Sequence, residues 1–376
     1  MKADLNKFPE LNKTKFENRG KELRLGIPVI NSVVIGNSIA VGFGDGTIRI
    51  FKAGQSSEPI KAHNGIVLCI SKDGDDIITG GDDGRFLRIS LNGEISEIAN
   101  FGSRWVDHVT ANNGSLVCTS GNNVYLWMAG RKEPRILEHE STIGGVAFDS
   151  KGRRLAVSRY GGVTLWKKDY SNKWKSSNLL WKGSHNKVIF SPDDRYLVTS
   201  MQENQLHFWR LKDKTDSTMS GYGAKVKSFA FVHDTKFLVT SGSNDAVCWP
   251  FDGIGPEGRQ PICLPFVGNK LVTFVEPFPN ENAIFTGLSD GSVFLSEIEK
   301  SSNTIIIRSF TESEVTTISV TEDGSSILIG DMAGNILWTS KWDCLLYTSD
   351  AADERSSVDL CGRRIIKKKW GGGGGG

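Results

Sequence analysis

The sequence predicts an all-β fold in which small four-stranded sheets repeat around an axis until the ring closes. Three observations carry this reading. An apolar quartet returns eight times, as Ile39-Ala40-Val41-Gly42, Ile77-Ile78-Thr79-Gly80, Leu116-Val117-Cys118-Thr119, Leu155-Ala156-Val157-Ser158, Leu197-Val198-Thr199-Ser200, Leu238-Val239-Thr240-Ser241, Ile284-Phe285-Thr286-Gly287 and Ile327-Leu328-Ile329-Gly330. A short turn and a second apolar strand follow each copy, for example FLRI at 86, VTLW at 163 and LHFW at 206. Gly42 to Gly330 spans seven intervals of about 41 residues each, inside the ~40–45 period of four-stranded propeller blades.

Each unit can be justified strand by strand. Ahead of the quartet lies a short inner strand A and a hairpin turn, as in VLCI then SKDGDD (67–76) or VIF then SPDDRY (188–196). Asp-Gly and Pro-Asp supply the backbone angles such turns need. The quartet is strand B and its successor strand C, with a looser segment left for strand D. No stretch sustains a 3.6-residue apolar period, so helices should be scarce. Eight units argue for eight blades, and seven follow if one unit is irregular.

Composition narrows the function classes. With 45 basic and 43 acidic residues the formal net charge is +2, which gives no electrostatic reason to expect a nucleic-acid or membrane partner. No apolar run approaches the ~20 residues that cross a bilayer, and the polar start MKADLNKFPELNKTKFENRGK lacks the core of a secretory signal. The six cysteines (69, 118, 248, 263, 344 and 361) form no C-x-x-C. Cys69, Cys118 and Cys248 lie in strand patterns and read as reduced thiols, which suits a cytoplasmic protein.

The repeat resembles that of WD40 β-propellers, over roughly residues 29 to 342. In that family a Trp ends strand C, a Ser or Thr ends strand B, an Asp sits in the B–C turn, and a His precedes strand A. Here Trp127, Trp166, Trp209, Trp249 and Trp338 fit the first place, with Phe51 in the first unit. Thr79, Thr199, Ser241 and Thr286 fit the second; Asp45, Asp83, Asp245 and Asp290 the third, where Glu203 and Ala333 stand elsewhere; His63, His139 and His185 the fourth. The resemblance implies hydrogen bonding among these side chains within a unit and a rigid ring that recruits other proteins.

The last unit, ILWTSKW, ends at strand C, and an open ring would leave an unpaired edge. The segment Thr14 to Leu25 is expected to supply the missing strand. The chain therefore divides into an N-terminal segment with a ring-closing strand (1–28), the propeller (29–343), and a tail (344–376). That tail resembles a translated sequencing adapter followed by six glycines, Gly371 to Gly376, and carries no functional argument.

Catalytic and metal motifs are missing. There is no G-x-S-x-G, no H-E-x-x-H, no paired C-x-x-C, and no G-x-x-x-x-G-K-[ST]. The six His (63, 108, 139, 185, 207 and 233) are scattered over different units and suit structural roles. The Asp-rich turn Gly80-Gly81-Asp82-Asp83-Gly84 lacks the ligand order of a calcium loop. No cofactor and no metal are expected.

A binding ring needs only loops held rigidly along one rim. Large side chains interrupt the small-residue turns of the fourth and fifth units, at Arg159-Tyr160-Gly161-Gly162 and Met201-Gln202-Glu203-Asn204. Adjacent loops add Arg104 and Trp105, Glu140, His185 and Asn186, Tyr222, and Asn244. The expected contact patch is thus Arg104, Trp105, Arg159, Tyr160, Gln202, Glu203, Asn204, Tyr222 and Asn244, since Arg, Tyr and Trp anchor interfaces well. The competing reading packs Tyr160 and Gln202 between neighbouring blades. Trp174 is expected at the surface, and Trp181 on the outer edge. Together these features predict a monomeric, non-catalytic scaffold for a protein or peptide partner. The alternative is an enzyme or small-ligand binder using the central funnel.

Overall fold

The computed structural model describes residues 13–171, 173–232, 236–266, 268–300 and 304–340. His233 and the tail 344–376 lie outside them. The described strands are antiparallel and follow one another outward from a central axis, as the repeat predicts. In the second unit, Val67–Asp73, Asp76–Gly81, Arg85–Ile89 and Ile95–Asn100 are neighbours in that order. Quartet side chains are buried on both faces because each sheet is sandwiched between two others. Ile77, Leu87 and Ile89 face the first unit's Ile48 and Ile50, while Ile78 and Phe86 face the third unit's Cys118 and Trp127.

Glycine at the quartet's end has a packing cause. A Cβ on Gly80 would sit 2.5 Å from Val106 at the entrance of the next unit. The same bare spot receives Val67 at Gly42, Val315 at Gly287 and Val29 at Gly330. Adjacent sheets thus seat a valine methyl where a side chain would hold them apart.

The described strands form seven sheets, the count that follows from one irregular unit, and the eight separate blades expected do not form. The cause lies in units four and five, which hydrogen-bond into one six-stranded sheet. Strand Arg154–Lys168 runs through the fourth quartet and the following VTLW without a break. Its register shifts between Tyr160 and Gly162, where the first, second and seventh units have an Asp-capped turn. Strand Trp174–Phe190 then serves both units: Leu179 pairs with Val163 of the fourth, and Val188 with Thr199 of the fifth. Gly162 permits the bend with a φ of 129° and leaves room for the Leu179 carbonyl, which a Cβ would meet at 2.1 Å. All eight sequence units still place an inner segment on one central cavity of about 540 Å³.

The ring closes through the N-terminal segment. Strand Lys21–Arg24 pairs antiparallel with the last strand C, from Lys21 opposite Trp338 to Arg24 opposite Asn335. Only part of Thr14–Leu25 is strand, because Thr14 and Glu17 form a capping box that starts a helix at Lys15–Arg19. This is the one helix among the described residues. Its Phe16 enters the core beside the last two sheets.

Two tryptophan expectations are corrected. Trp174 is buried against Phe148 rather than exposed, because strand alternation turns it toward the space between units three and four. Trp181 is exposed but not on an outer edge: it lies where the central strand Trp174–Phe190 crosses from the fourth unit to the fifth, stacked on the His207 ring with centroids 4.1 Å apart. Cys118 and Cys248 are buried free thiols and Cys69 is half-buried, while Cys263 is exposed.

Candidate functional site

In the second, fourth, fifth and sixth units, hydrogen-bond networks tie the loop entering the unit to its strand B or strand C and make that part of the rim rigid. His63 Nδ1 donates to Asp83 Oδ1 (2.9 Å), and Nε2 accepts from the Thr79 hydroxyl (2.9 Å). Asp83 also accepts from the amides of Asn64 (2.9 Å) and Arg85 (3.2 Å). Burial alone would raise its carboxyl, but these bonds and His63 hold it below the usual range. Ile89 stands in this unit where the repeat would carry Trp.

Other units vary the same theme. His185 meets Thr199 Oγ1 at 2.8 Å and packs against the Trp209 ring. Trp166 Nε1 donates to His139 Nε2 at 3.2 Å, and His139 Nδ1 donates in turn to the Leu137 carbonyl. Desolvation lowers the pKa of His63, His139 and His185, so each is held neutral for its network. In the sixth unit a tyrosine takes the histidine's place. Tyr222 Oη contacts Thr240 Oγ1 at 2.8 Å and accepts from Trp249 Nε1 at 2.7 Å.

That geometry corrects one candidate contact. Tyr222 is 9% exposed and its hydroxyl is spent inside the blade. Replacing it with phenylalanine leaves the half-buried Trp249 N–H without an acceptor. We expect Tyr222→Phe to cost about 1–3 kcal/mol in urea unfolding, with partner capture intact. Unchanged stability with lost capture would return Tyr222 to the contact surface. His185, raised above as a loop candidate, is buried for the same reason.

The remaining candidates sort by exposure. Tyr160 is 62% and Trp105 58% exposed, which removes Tyr160 from any packing between sheets. Arg104, Gln202, Glu203 and Asn244 are exposed, and Asn204 is half-buried with a φ of 55°. The fold brings Tyr160, Gln202 and Glu203 around Ser184. Tyr160 pairs opposite Ser184, the Gln202 amide donates to its carbonyl (3.0 Å), and Glu203 accepts from its amide (3.4 Å). Arg159 is half-buried and braces the bend, donating to Thr164 Oγ1, the Tyr160 carbonyl and Asn178 Oδ1. Arg104 and Trp105 lie on the loop entering unit three, and Asn244 bonds Asn269 of its own neighbourhood (2.7 Å). The nine residues therefore form no single cluster. Sequence reasoning passed over Ile66, Phe310 and Met332, which are exposed apolar groups on rim loops. The available signal was a large apolar residue in a turn built otherwise from Asp, Gly and Ser.

The central cavity offers a second setting. Lys227 pairs with Glu314 at 3.2 Å, and Lys187, accessible from the cavity, stands over the Phe229 ring. Desolvation lowers the Lys187 ammonium and pushes Glu276 up to about 8, against the opposing field of Lys187. Among the described residues no cluster of three or more His, Cys, Asp or Glu could hold a metal. No described helix is long and apolar enough to cross a membrane.

Comparison with known proteins agrees with this architecture. The family model for the WD domain, G-beta repeat, matches residues 54–86, the stretch that holds His63, Thr79 and Asp83. Protein sof1 of Schizosaccharomyces pombe is 32% identical over 182 residues, which cover 46% of this chain and 42% of that protein. The match thus spans less than half the length of this curated relative. The crystal structure of the computationally designed Ika8 protein superposes with a TM-score of 0.66 at 15% identity, covering 84% of this chain and 97% of that one. Such a likeness speaks for the fold alone. With a closed ring, networks that join an entering loop to the strands of a unit, and a repeat model that matches residues 54–86, the chain has the β-propeller fold and carries a WD40-type repeat.

Proposed function

We propose that this ring is a non-catalytic scaffold that captures a protein or peptide on its loop rim, with Tyr160, Gln202 and Glu203 around Ser184 as the centre of contact. The observation that carries the reading is Tyr160, held 62% exposed at a bend that Arg159 and Gly162 make rigid. A backbone fixed before binding leaves only the side chain to be ordered on capture, so the area that the aromatic ring buries converts well into affinity. Trp105, on a loop farther round the rim, offers a second anchor for an extended partner.

The test is affinity purification of the full chain with mass spectrometry, repeated with Tyr160→Ala and Gln202→Ala together. The expected result is loss of partner proteins with an unchanged melting temperature. Identical recovered proteins would remove this patch, and a lowered melting temperature would assign both side chains to packing. One observation favours the small-ligand alternative: Asp107, His108, Lys187, Lys227 and Glu314 converge on the central cavity. A small molecule retained through purification would promote it.

A further inference from the structure

A second cavity, of about 310 Å³, opens where the N-terminal segment seals the ring, between Lys13, Glu17 and the stretch 22–24 on one side and the stretches 308–311 and 335–337 on the other. Its wall holds Arg308, a side chain only 3% exposed. The guanidinium spends one donor, Nε, on the Gly291 carbonyl at 2.8 Å. Nη1 lies 3.5 Å from Asp331 Oδ2, close enough for ion pairing, but neither Nη1 nor Nη2 has a hydrogen-bond partner among the described residues. The Thr311 hydroxyl, on the same wall, is also buried without a partner. Buried polar groups in folded proteins are bonded with few exceptions, and a charged donor is the most expensive to leave unmet.

Nearby acids are committed elsewhere. Asp331 accepts from the Ala333 and Asn335 amides and from the Asn335 side chain. Glu17 accepts from the Thr14 amide and from the Ser309 amide and hydroxyl. Glu22 is held by Lys13 and Arg24. Asp331 therefore offsets the charge of Arg308 without using its fork. What remains is a planar pair of nitrogens whose spacing matches a carboxylate.

We propose that this cavity binds a carboxylate of a partner peptide, bidentate on Arg308 Nη1 and Nη2, with the Thr311 hydroxyl donating alongside. A phosphate dianion fits worse, because Glu17, Glu22 and Asp331 would repel its second charge. Phe310, exposed at the lip, provides apolar contact for the residue beside the carboxylate. The site lies apart from Tyr160 and does not depend on the scaffold reading.

Three fluorescent peptides test the proposal on the full chain: acetyl-Ala-Ala-Phe-Glu-amide, the same peptide with Gln for Glu, and acetyl-Ala-Ala-Phe with a free C-terminus. Binding of the Glu or the free-acid peptide at least tenfold tighter than the Gln peptide is expected, and which acid wins identifies the carboxylate's source. Arg308→Lys, which keeps the charge and removes the fork, should abolish that preference. Because Arg308 is buried, Thr311→Val provides a second variant. It should weaken the acid peptide several-fold without lowering the melting temperature, since the lost hydroxyl had no partner. Equal binding of all three peptides, binding of none, or stronger competition by inorganic phosphate than by acetate would overturn the assignment. So would a structure showing residues 1–12 seated on the fork.

Discussion

Deletion of residues 1–24 is expected to lower the melting temperature by more than 10 °C and to make the chain prone to self-association. The segment closes the ring at several points at once. Lys21–Arg24 covers the outer edge of the strand Asn335–Ser340, and Thr14 Oγ1 donates to the Ile307 carbonyl at 2.8 Å. Glu17 ties down Ser309, and Phe16, 5% exposed, fills space among Phe285, Ile307 and Leu337. Emptying the Phe16 site alone costs about 3–5 kcal/mol, against total stabilities of about 5–15 kcal/mol. Removing the strand as well bares a row of unpaired backbone groups, which pair readily with another chain. Phe16→Ala should accordingly produce only part of the loss, and without aggregation. A truncated chain that melts within two or three degrees of the full one would refute closure by this segment.

Acid is expected to destabilise the ring through its buried imidazoles. His63, His108, His139, His185 and His207 all have lowered pKa values, with desolvation as the largest cause in each. His207 is lowered to about 3; it is fully buried, and neighbouring His185 adds repulsion. Asp216 approaches its Nε2 to 3.2 Å without forming a hydrogen bond. An unfolded imidazole takes a proton near pH ~6.5, the folded ones only at lower pH, so unfolding binds protons. Stability is fully present above that pH and is lost as pH falls toward 3. Glu276 acts with the opposite sign, because its raised carboxyl is protonated in the folded state first. The clean measurement is therefore a comparison of urea unfolding at pH 7.5 and 4 for the natural chain and His207→Phe, which keeps an apolar ring in the stack. The natural chain should lose on the order of 3 kcal/mol more than the variant over that range. Equal losses in both would show that His207 is not the titrating group.

Local chemistry carried much of this protein into view. The alternation of strands B and C, the turns between them and the period that stacks units around an axis depend on neighbours within a few residues. His63, Thr79 and Asp83 bond across 16 and 20 positions, and it was their places in the repeat, through its family resemblance, that pointed to those bonds. Even the closing strand was legible, because a last unit without strand D requires one.

Only the tertiary structure decided the rest. The fourth and fifth units merged because one strand could satisfy two neighbours at once, a matter of register across the bend at Gly162. Tyr222 became an internal bridge because Thr240 and Trp249 converge on its hydroxyl, and no spacing in the chain announces that a tyrosine will reach where a histidine does elsewhere. Trp174 turned inward because its strand packs that face against the third unit, and no local signal distinguishes the two faces. The unspent fork of Arg308 is visible only after every acceptor around it has been assigned, and those acceptors come from opposite ends of the chain. Repetition is written in short-range pairing, whereas whether a given polar group is satisfied, exposed or left open depends on segments that meet only when the ring closes.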